Sequence, residues 1–172
     1  MEHTILVVED EKGIREAIQI YLKNQGYHVF LAENGQEGLE IANRETIHLA
    51  VVDIMMPVMN GIEMIRQAKE QYPDMTFVVL AGYGDYEFTS QAMELGVRHY
   101  ILKPCDEAKR IPVLNKACAE LEEARKKNAR SEKLETEARL LKPYAREQLF
   151  RDLLLGKAQA SSGARQLVDE LG

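Results

Sequence analysis

Three short apolar runs in this chain each end in residues suited to acid or phosphate chemistry. Leu49-Ala50-Val51-Val52 stops at Asp53, Ile5-Leu6-Val7-Val8 runs into Glu9-Asp10-Glu11, and Tyr100-Ile101-Leu102 is followed by Lys103-Pro104. A continuous apolar run reads as a strand buried on both faces. Charges at the ends of such strands would meet at the carboxyl edge of an open α/β sheet, where these folds place ligands. Several acids and one lysine there make a site for a divalent metal and a phosphoryl group. Mg2+ binds through oxygen, using one or two carboxylates, water and the phosphate itself. Glu9, Asp10 and Asp53 supply such oxygens, and the backbone carbonyl of Met55 would complete the protein's share. Lys103 adds a mobile point charge for a phosphate oxygen. Phosphoryl transfer asks a protein for little beyond positioning and electrostatics. Taken singly, these residues have plainer readings. Asp10 could cap a helix beginning near Gly13, and Lys103 could be an ordinary surface lysine. The specific signal is their combination at three strand ends.

The elements that must hold these groups alternate in type. Apolar runs at 5–8, 29–32, 49–52, 77–80 and 100–102 are separated by segments with helical spacing, such as Ile14, Ala17, Ile18, Tyr21 and Leu22. Gly26, Gly35, Gly61 and Gly96 fall at the ends of those segments, as caps and turns do. Strict alternation implies right-handed crossovers and a parallel sheet covered on both sides. The expected fold class is α/β, a doubly wound five-stranded parallel sheet over residues 1–111.

The texture changes after Pro112. No glycine or proline occurs from Val113 to Lys142, and charges of both signs dominate. Leu114, Ala117, Leu121, Ala124, Asn128 and Ser131 follow the three-four spacing of a coiled-coil seam, and Leu134, Ala138, Leu141 and Ala145 resume it after a shift of phase. Asn128 on the seam could fix register and a two-stranded state. Residues 112–142 are therefore expected to form a helical coiled-coil linker and a homodimer. The alternative is a single long helix, solvated or packed on its own domain. Pro143 is expected to end or kink that helix. Residues 143–172 then form a short helical tail, with an amphipathic helix over Tyr144–Leu155, a small-residue linker at 158–163 and a last helix over Ala164–Leu171.

Composition narrows the function classes. A length of 172 residues leaves room for one ordinary domain plus an appendage, and a net charge of −6 argues against broad nucleic-acid binding. Two cysteines, Cys105 and Cys118, fit no zinc or disulfide pattern. No leader or membrane-spanning run is evident, so the expected location is cytoplasmic, without membrane association.

Residues 1–105 resemble the receiver domains of two-component response regulators. The resemblance rests on Val7-Val8-Glu9-Asp10-Glu11, on Val52-Asp53-Ile54-Met55-Met56-Pro57 with Asn60-Gly61, and on Tyr100-Ile101-Leu102-Lys103-Pro104. It implies a flavodoxin-like (CheY-like) fold in which a sensor histidine kinase phosphorylates Asp53. Glu9, Asp10 and Asp53 would bind Mg2+, and Lys103 would contact the phosphoryl group. Tyr100 matches the aromatic that reorients on phosphorylation, its plainer reading being a buried sheet aromatic. One position departs from the pattern. By spacing to Lys103, the usual Ser or Thr at the end of the fourth strand is Ala81, which has no hydroxyl. A lost hydrogen bond to a charged group is worth roughly 1.5–3 kcal/mol, enough to bias a switch.

The segments 82–88 and 147–157 look like those of receivers joined to AraC-type DNA-binding domains, whereas Ile20–Tyr27 looks like receivers with winged-helix effectors. The residues after Pro143 are too few for either, so DNA contact is expected only through an output domain outside this sequence. Two other readings compete with a phosphorylation-controlled transcription regulator. An aspartate-dependent phosphatase would need a second acid at position 55, where Met55 stands, so the chain is expected not to be an enzyme. A non-switching dimeric interaction module would follow from Ala81.

Overall fold

The structure, a computed structural model, describes residues 3–104 and 106–154. Its elements run β1 (Thr4–Val8), α1 (Lys12–Asn24), β2 (His28–Ala32), α2 (Gly35–Arg44), β3 (Leu49–Asp53), α3 (Gly61–Gln71), β4 (Thr76–Gly82), α4 (Tyr86–Glu94), β5 (His99–Lys103) and α5 (Glu107–Leu154). The five strands form one parallel sheet in the order β2-β1-β3-β4-β5. This is the expected flavodoxin-like arrangement.

Strand periodicity sorts the core into two layers. Leu6, Val8, Ala50, Val52, Phe77, Val79 and Ala81 pack in one cluster with Leu39, Ile62, Ile65 and Ala92 from α2, α3 and α4. Their neighbours Ile5, Val7, Leu49, Val51, Val78, Leu80 and Ile101 pack on the other face with Ile18 and Leu22 of α1 and Leu114, Ala117 and Cys118 of α5. Residues 5–8, 49–52 and 77–81 are buried throughout because the central strands β1, β3 and β4 are covered on both sides. β5 lies at the edge, and Leu102 there is 53% exposed.

Two turns at the carboxyl edge are fixed by side-chain caps. Asn34 accepts from the backbone N–H of Glu37 (3.0 Å), and Asn60 accepts from that of Glu63 (2.9 Å). The Asn60-Gly61 pair begins α3 hard against the end of β3. A Cβ on Gly61 would lie 2.1 Å from the Asp53 carbonyl oxygen, and the Gly61 N–H donates to the Ile54 carbonyl (2.9 Å). Only glycine permits that approach.

The helix after β5 differs from its expected form. α5 begins at Glu107, ahead of Pro112, and continues through Pro143 to Leu154. Pro112 and Pro143 are both exposed, as are Ala108 and Arg139, so the carbonyls the prolines leave without a helical partner lie at the surface, open to water. Leu114 (1% exposed) and Ala117 (0%) face the sheet, and Leu121 packs against the same cluster. These first three seam positions are core residues of their own domain and are closed to a second helix. The first compact unit accordingly extends through Glu123, past the expected border at 111.

The second unit, Ala124–Gly172, contains the rest of α5. From Ala124 to Leu140 every described residue except Arg125 is exposed. Local links along it include Lys133–Glu137 (4.0 Å) and Thr136 Oγ1 donating to the Glu132 carbonyl (2.8 Å). Cys105, the linker at 158–163 and the helix expected over 164–171 lie outside the described residues. No helix among those described is long and apolar enough to cross a membrane.

Truncating a fully buried leucine costs about 2–5 kcal/mol. Leu114→Ala should therefore lower the thermal midpoint of the whole domain in one transition, whereas Leu134→Ala, at an exposed seam position, should not. A Leu114→Ala protein as stable as wild type by calorimetry would return this turn of α5 to the linker.

Candidate functional site

The ends of β1, β3 and β5 converge. Glu9, immediately after β1, is completely buried, and Asp53, the last residue of β3, is 4% exposed. Lys103, the last residue of β5, places Nζ 3.0 Å from Asp53 Oδ2 and 2.8 Å from Glu9 Oε2. It also donates to Glu9 Oε1 (3.0 Å), which accepts a second hydrogen bond from the Glu11 N–H (3.1 Å). Asp10 is exposed, yet one of its carboxylate oxygens lies within 4.8 Å of those offered by Glu9 and Asp53. Asp10 is not a helix cap: the N-cap of α1 is Glu11, which makes no side-chain cap bond. The peptide between Lys103 and Pro104 is cis. A cavity of about 390 Å³, lined by Glu11, Ile14, Leu80, Tyr83, Lys103, Pro104 and Arg110, opens beside the lysine.

Glu9 and Asp53 share one ammonium, and burial shifts the acidity of both. Burial pushes Glu9 from 4.5 up to about 7, with Asp53 adding to the rise and Lys103 opposing it. Burial also raises Asp53, against the pull of Lys103 and a hydrogen bond from the Met55 backbone N–H. Burial works against the Lys103 charge, but the two carboxylates outweigh it and hold the ammonium above its usual range. Glu9 Oε2 has its ion-pair contact with Lys103 but no hydrogen bond. Glu9, Asp10 and Asp53 each offer a carboxylate oxygen within 4.8 Å of the others, a donor set suited to a hard divalent cation.

The remaining expected residues divide. Ala81 is fully buried near the end of β4, beside Leu80, which pairs with Asp53. No threonine replaces its missing hydroxyl: Thr76 is at the other end of β4, paired with Leu49, and Thr89 Oγ1 is bound to the Tyr86 carbonyl (2.9 Å). Tyr100 is half-buried against the α2–α4 layer, and its hydroxyl donates to the Val97 carbonyl (2.9 Å). Sequence reasoning missed Arg15. It is 6% exposed and reaches the Glu9 and Asp10 carbonyls and the Glu33 carboxylate. The available signal was its place on the buried stripe of α1, three residues before Ile18 and seven before Leu22.

Residues 5–115 match the family model described as the response regulator receiver domain. The chain belongs to that family. It is 32% identical over 162 residues to the transcriptional regulatory protein YesN of Bacillus subtilis (strain 168), covering 92% of the chain and 44% of that relative. It is 31% identical over 106 residues to sporulation initiation phosphotransferase F of the same organism, covering 62% of the chain and 86% of the relative. Among solved structures, a CheY-like receiver domain protein from Methanospirillum hungatei JF-1 superposes with a TM-score of 0.67 at 31% identity, covering 74% of the chain and 99% of that protein. The chain thus spans less than half the length of YesN. Receiver domains are in general signalling modules rather than enzymes, interact with histidine kinases and bind Mg2+ at an acidic pocket.

The raised acidity constant of Glu9 has a direct consequence for the metal-free protein. A group that binds its proton more tightly when folded contributes stability that is fully present below its unfolded value, near 4.5, and is lost as pH rises through about 7. The thermal midpoint without divalent metal should fall between pH 5 and pH 7, and Glu9→Gln should flatten that slope. An identical slope in Glu9→Gln would contradict this assignment.

Proposed function

We propose that this receiver accepts a phosphoryl group on Asp53 from a sensor histidine kinase in the cytoplasm and passes its state through α5 to a DNA-binding output domain. The observation that carries the proposal is the Lys103 ammonium held 3.0 Å from Asp53 Oδ2 and 2.8 Å from Glu9 Oε2. Glu9, Asp10 and Asp53, with the Met55 backbone carbonyl, would hold Mg2+. When bound, Mg2+ offsets the charge of the incoming phosphoryl oxygens.

The chain's own groups do the rest. An Asp53 carboxylate oxygen attacks phosphorus, the phosphorus–nitrogen bond to the donor imidazole breaks, and its electron pair stays on that nitrogen. Lys103 remains protonated and turns from the carboxylates to a phosphoryl oxygen. Met55 takes no part as an acid, because a thioether carries no exchangeable proton. That favours a phosphorylated protein over a hydrolase.

Output runs through the second part of α5. Ala124, Asn128 and Ser131 keep the seam spacing, Leu134 and Ala138 resume it after a shift of phase, and all five are exposed, with Leu134 58% exposed. We assign them to a two-stranded coiled coil with a second copy of the chain, with Asn128 setting register. A second reading has its own support. Ala81, buried and without a hydroxyl of its own, lacks the contact that would draw the β4–α4 loop toward phosphate. In that reading the chain is a dimer whose association does not respond to phosphorylation.

Incubation with acetyl phosphate and Mg2+, followed by intact-mass measurement and size-exclusion chromatography, tests both. Wild type should gain one phosphoryl group, Asp53→Asn none, and phosphorylation should shift association, more strongly in Ala81→Thr. A phosphorylated protein with unaltered association in wild type supports the second reading. No adduct on wild type would overturn the acceptor assignment.

A further inference from the structure

A buried arginine must be neutralised and hydrogen-bonded, or its burial costs more than the fold can offset. Arg15 meets that demand with two backbone carbonyls of the acidic loop and one carboxylate after β2. Its Nη1 donates to the carbonyls of Glu9 and Asp10 (the latter at 3.1 Å), and its Nη2 donates to Glu33 Oε1 at 2.6 Å. The Arg15 side chain is 8% exposed, whereas that of Glu33 is 68% exposed. The guanidinium is thus a bolt driven from α1 through the β1–α1 loop, with its outer end on a solvated carboxylate after β2.

This bolt acts on the two acids that the Mg2+ reading needs. The Glu9 N–H donates to the Ala32 carbonyl (3.1 Å), so with Arg15 on its carbonyl the Glu9 backbone is held from both sides. The Glu9 side chain is held by Lys103 and the Glu11 N–H. Asp10 differs. Its carboxylate makes no hydrogen bond among the described residues, so where it points depends on the backbone that carries it. Rotation of the peptides around Asp10 would swing that carboxylate away from those of Glu9 and Asp53. A guanidinium fork can span two successive carbonyls and a carboxylate; a lysine ammonium on its flexible stem cannot match that geometry. Arg15 also brings a fixed positive charge beside a loop of three acids without occupying the space between their carboxylates.

We propose that Arg15 is a positioning residue for cation binding, holding the Glu9-Asp10 backbone so that the Asp10 carboxylate is presented to the metal, with Glu33 orienting the guanidinium. The inference rests on the acid-site reading above. Groups that orient metal ligands typically change affinity by roughly 10- to 100-fold when removed. Arg15 does not touch the reacting atoms, so its loss should appear as weaker cation binding rather than a failed chemical step.

The test measures Mn2+ affinity by electron paramagnetic resonance on the full chain, beside thermal midpoints, for wild type, Arg15→Ala, Arg15→Lys and Glu33→Gln. Dissociation constants should rise roughly tenfold or more in Arg15→Ala, less in Arg15→Lys and least in Glu33→Gln. Acetyl phosphate reactions of the Arg15 variants should need correspondingly more Mg2+ to reach half their maximal rate, and that maximum should recover when the metal is saturating. A folded Arg15→Ala with wild-type Mn2+ affinity overturns the inference. Should Arg15→Ala not fold, wild-type affinity in both Arg15→Lys and Glu33→Gln overturns it equally. A loss of maximal rate that excess metal does not restore also counts against it. Wild type that binds no Mn2+ would overturn the acid-site reading and this inference together, which separates that failure from failure of the Arg15 assignment alone.

Discussion

Buried charge that cannot be fully neutralised is the constraint on which the rest of this structure depends. Glu9 and Asp53 are taken out of water with one ammonium between them, and Asp10 stands at their edge. Two carboxylates and one lysine do not balance, and burial raises the proton affinity of both acids. Such an arrangement persists only if the surrounding fold is strong enough to impose it. Two dry layers of aliphatic side chains on either face of the sheet supply that strength. The close approach of Gly61 to the Asp53 carbonyl shows how tightly the acid's backbone is enclosed. The residual negative charge is then available to a cation and to the transfer of a phosphoryl group.

The same enclosure extends into the first turns of α5. Leu114 and Ala117 complete the layer that covers Val7, Val51 and Leu80, so the start of α5 is part of the scaffold that holds the acids. Further along, the same helix carries an exposed leucine, Leu134, at a seam position. In the proposed signalling route, a change at the carboxyl edge and a change in association would share this one helix. The weak point is Ala81. With no hydroxyl there, the proposed coupling would have to rest on Lys103, on backbone donors near the site and on the packing of β4 and β5.

Much of this was legible in the sequence because it depends on local rules. A run such as Leu49-Ala50-Val51-Val52 has one inexpensive home, a central parallel strand, and the residue after it must lie at the sheet's carboxyl edge. Asp53, Glu9 and Lys103 followed from that alone, and the structure brings them into contact. What stayed hidden depends on tertiary context. The three-four spacing of Leu114, Ala117 and Leu121 suits a seam between two chains or the face of a helix lying on a sheet, and spacing cannot choose between them. Pro143 was expected to interrupt α5, but a proline on an exposed face leaves its unbonded carbonyl to water, and the helix continues. Arg15 was passed over because arginine in a helix usually faces solvent. Two of its partners are backbone carbonyls, which leave no trace in residue types, and the third, Glu33, lies 18 residues away.

The central claim is that three acids, from the ends of β1 and β3, jointly hold one divalent cation beside Lys103. Crystals equilibrated with Mn2+ and measured at a wavelength where manganese scatters anomalously test it most directly. One anomalous peak is expected within coordination distance of the Glu9, Asp10 and Asp53 side chains, with Lys103 displaced from at least one carboxylate. An anomalous map that is empty among those three residues, under conditions where the protein is saturated with Mn2+ in solution, would contradict it.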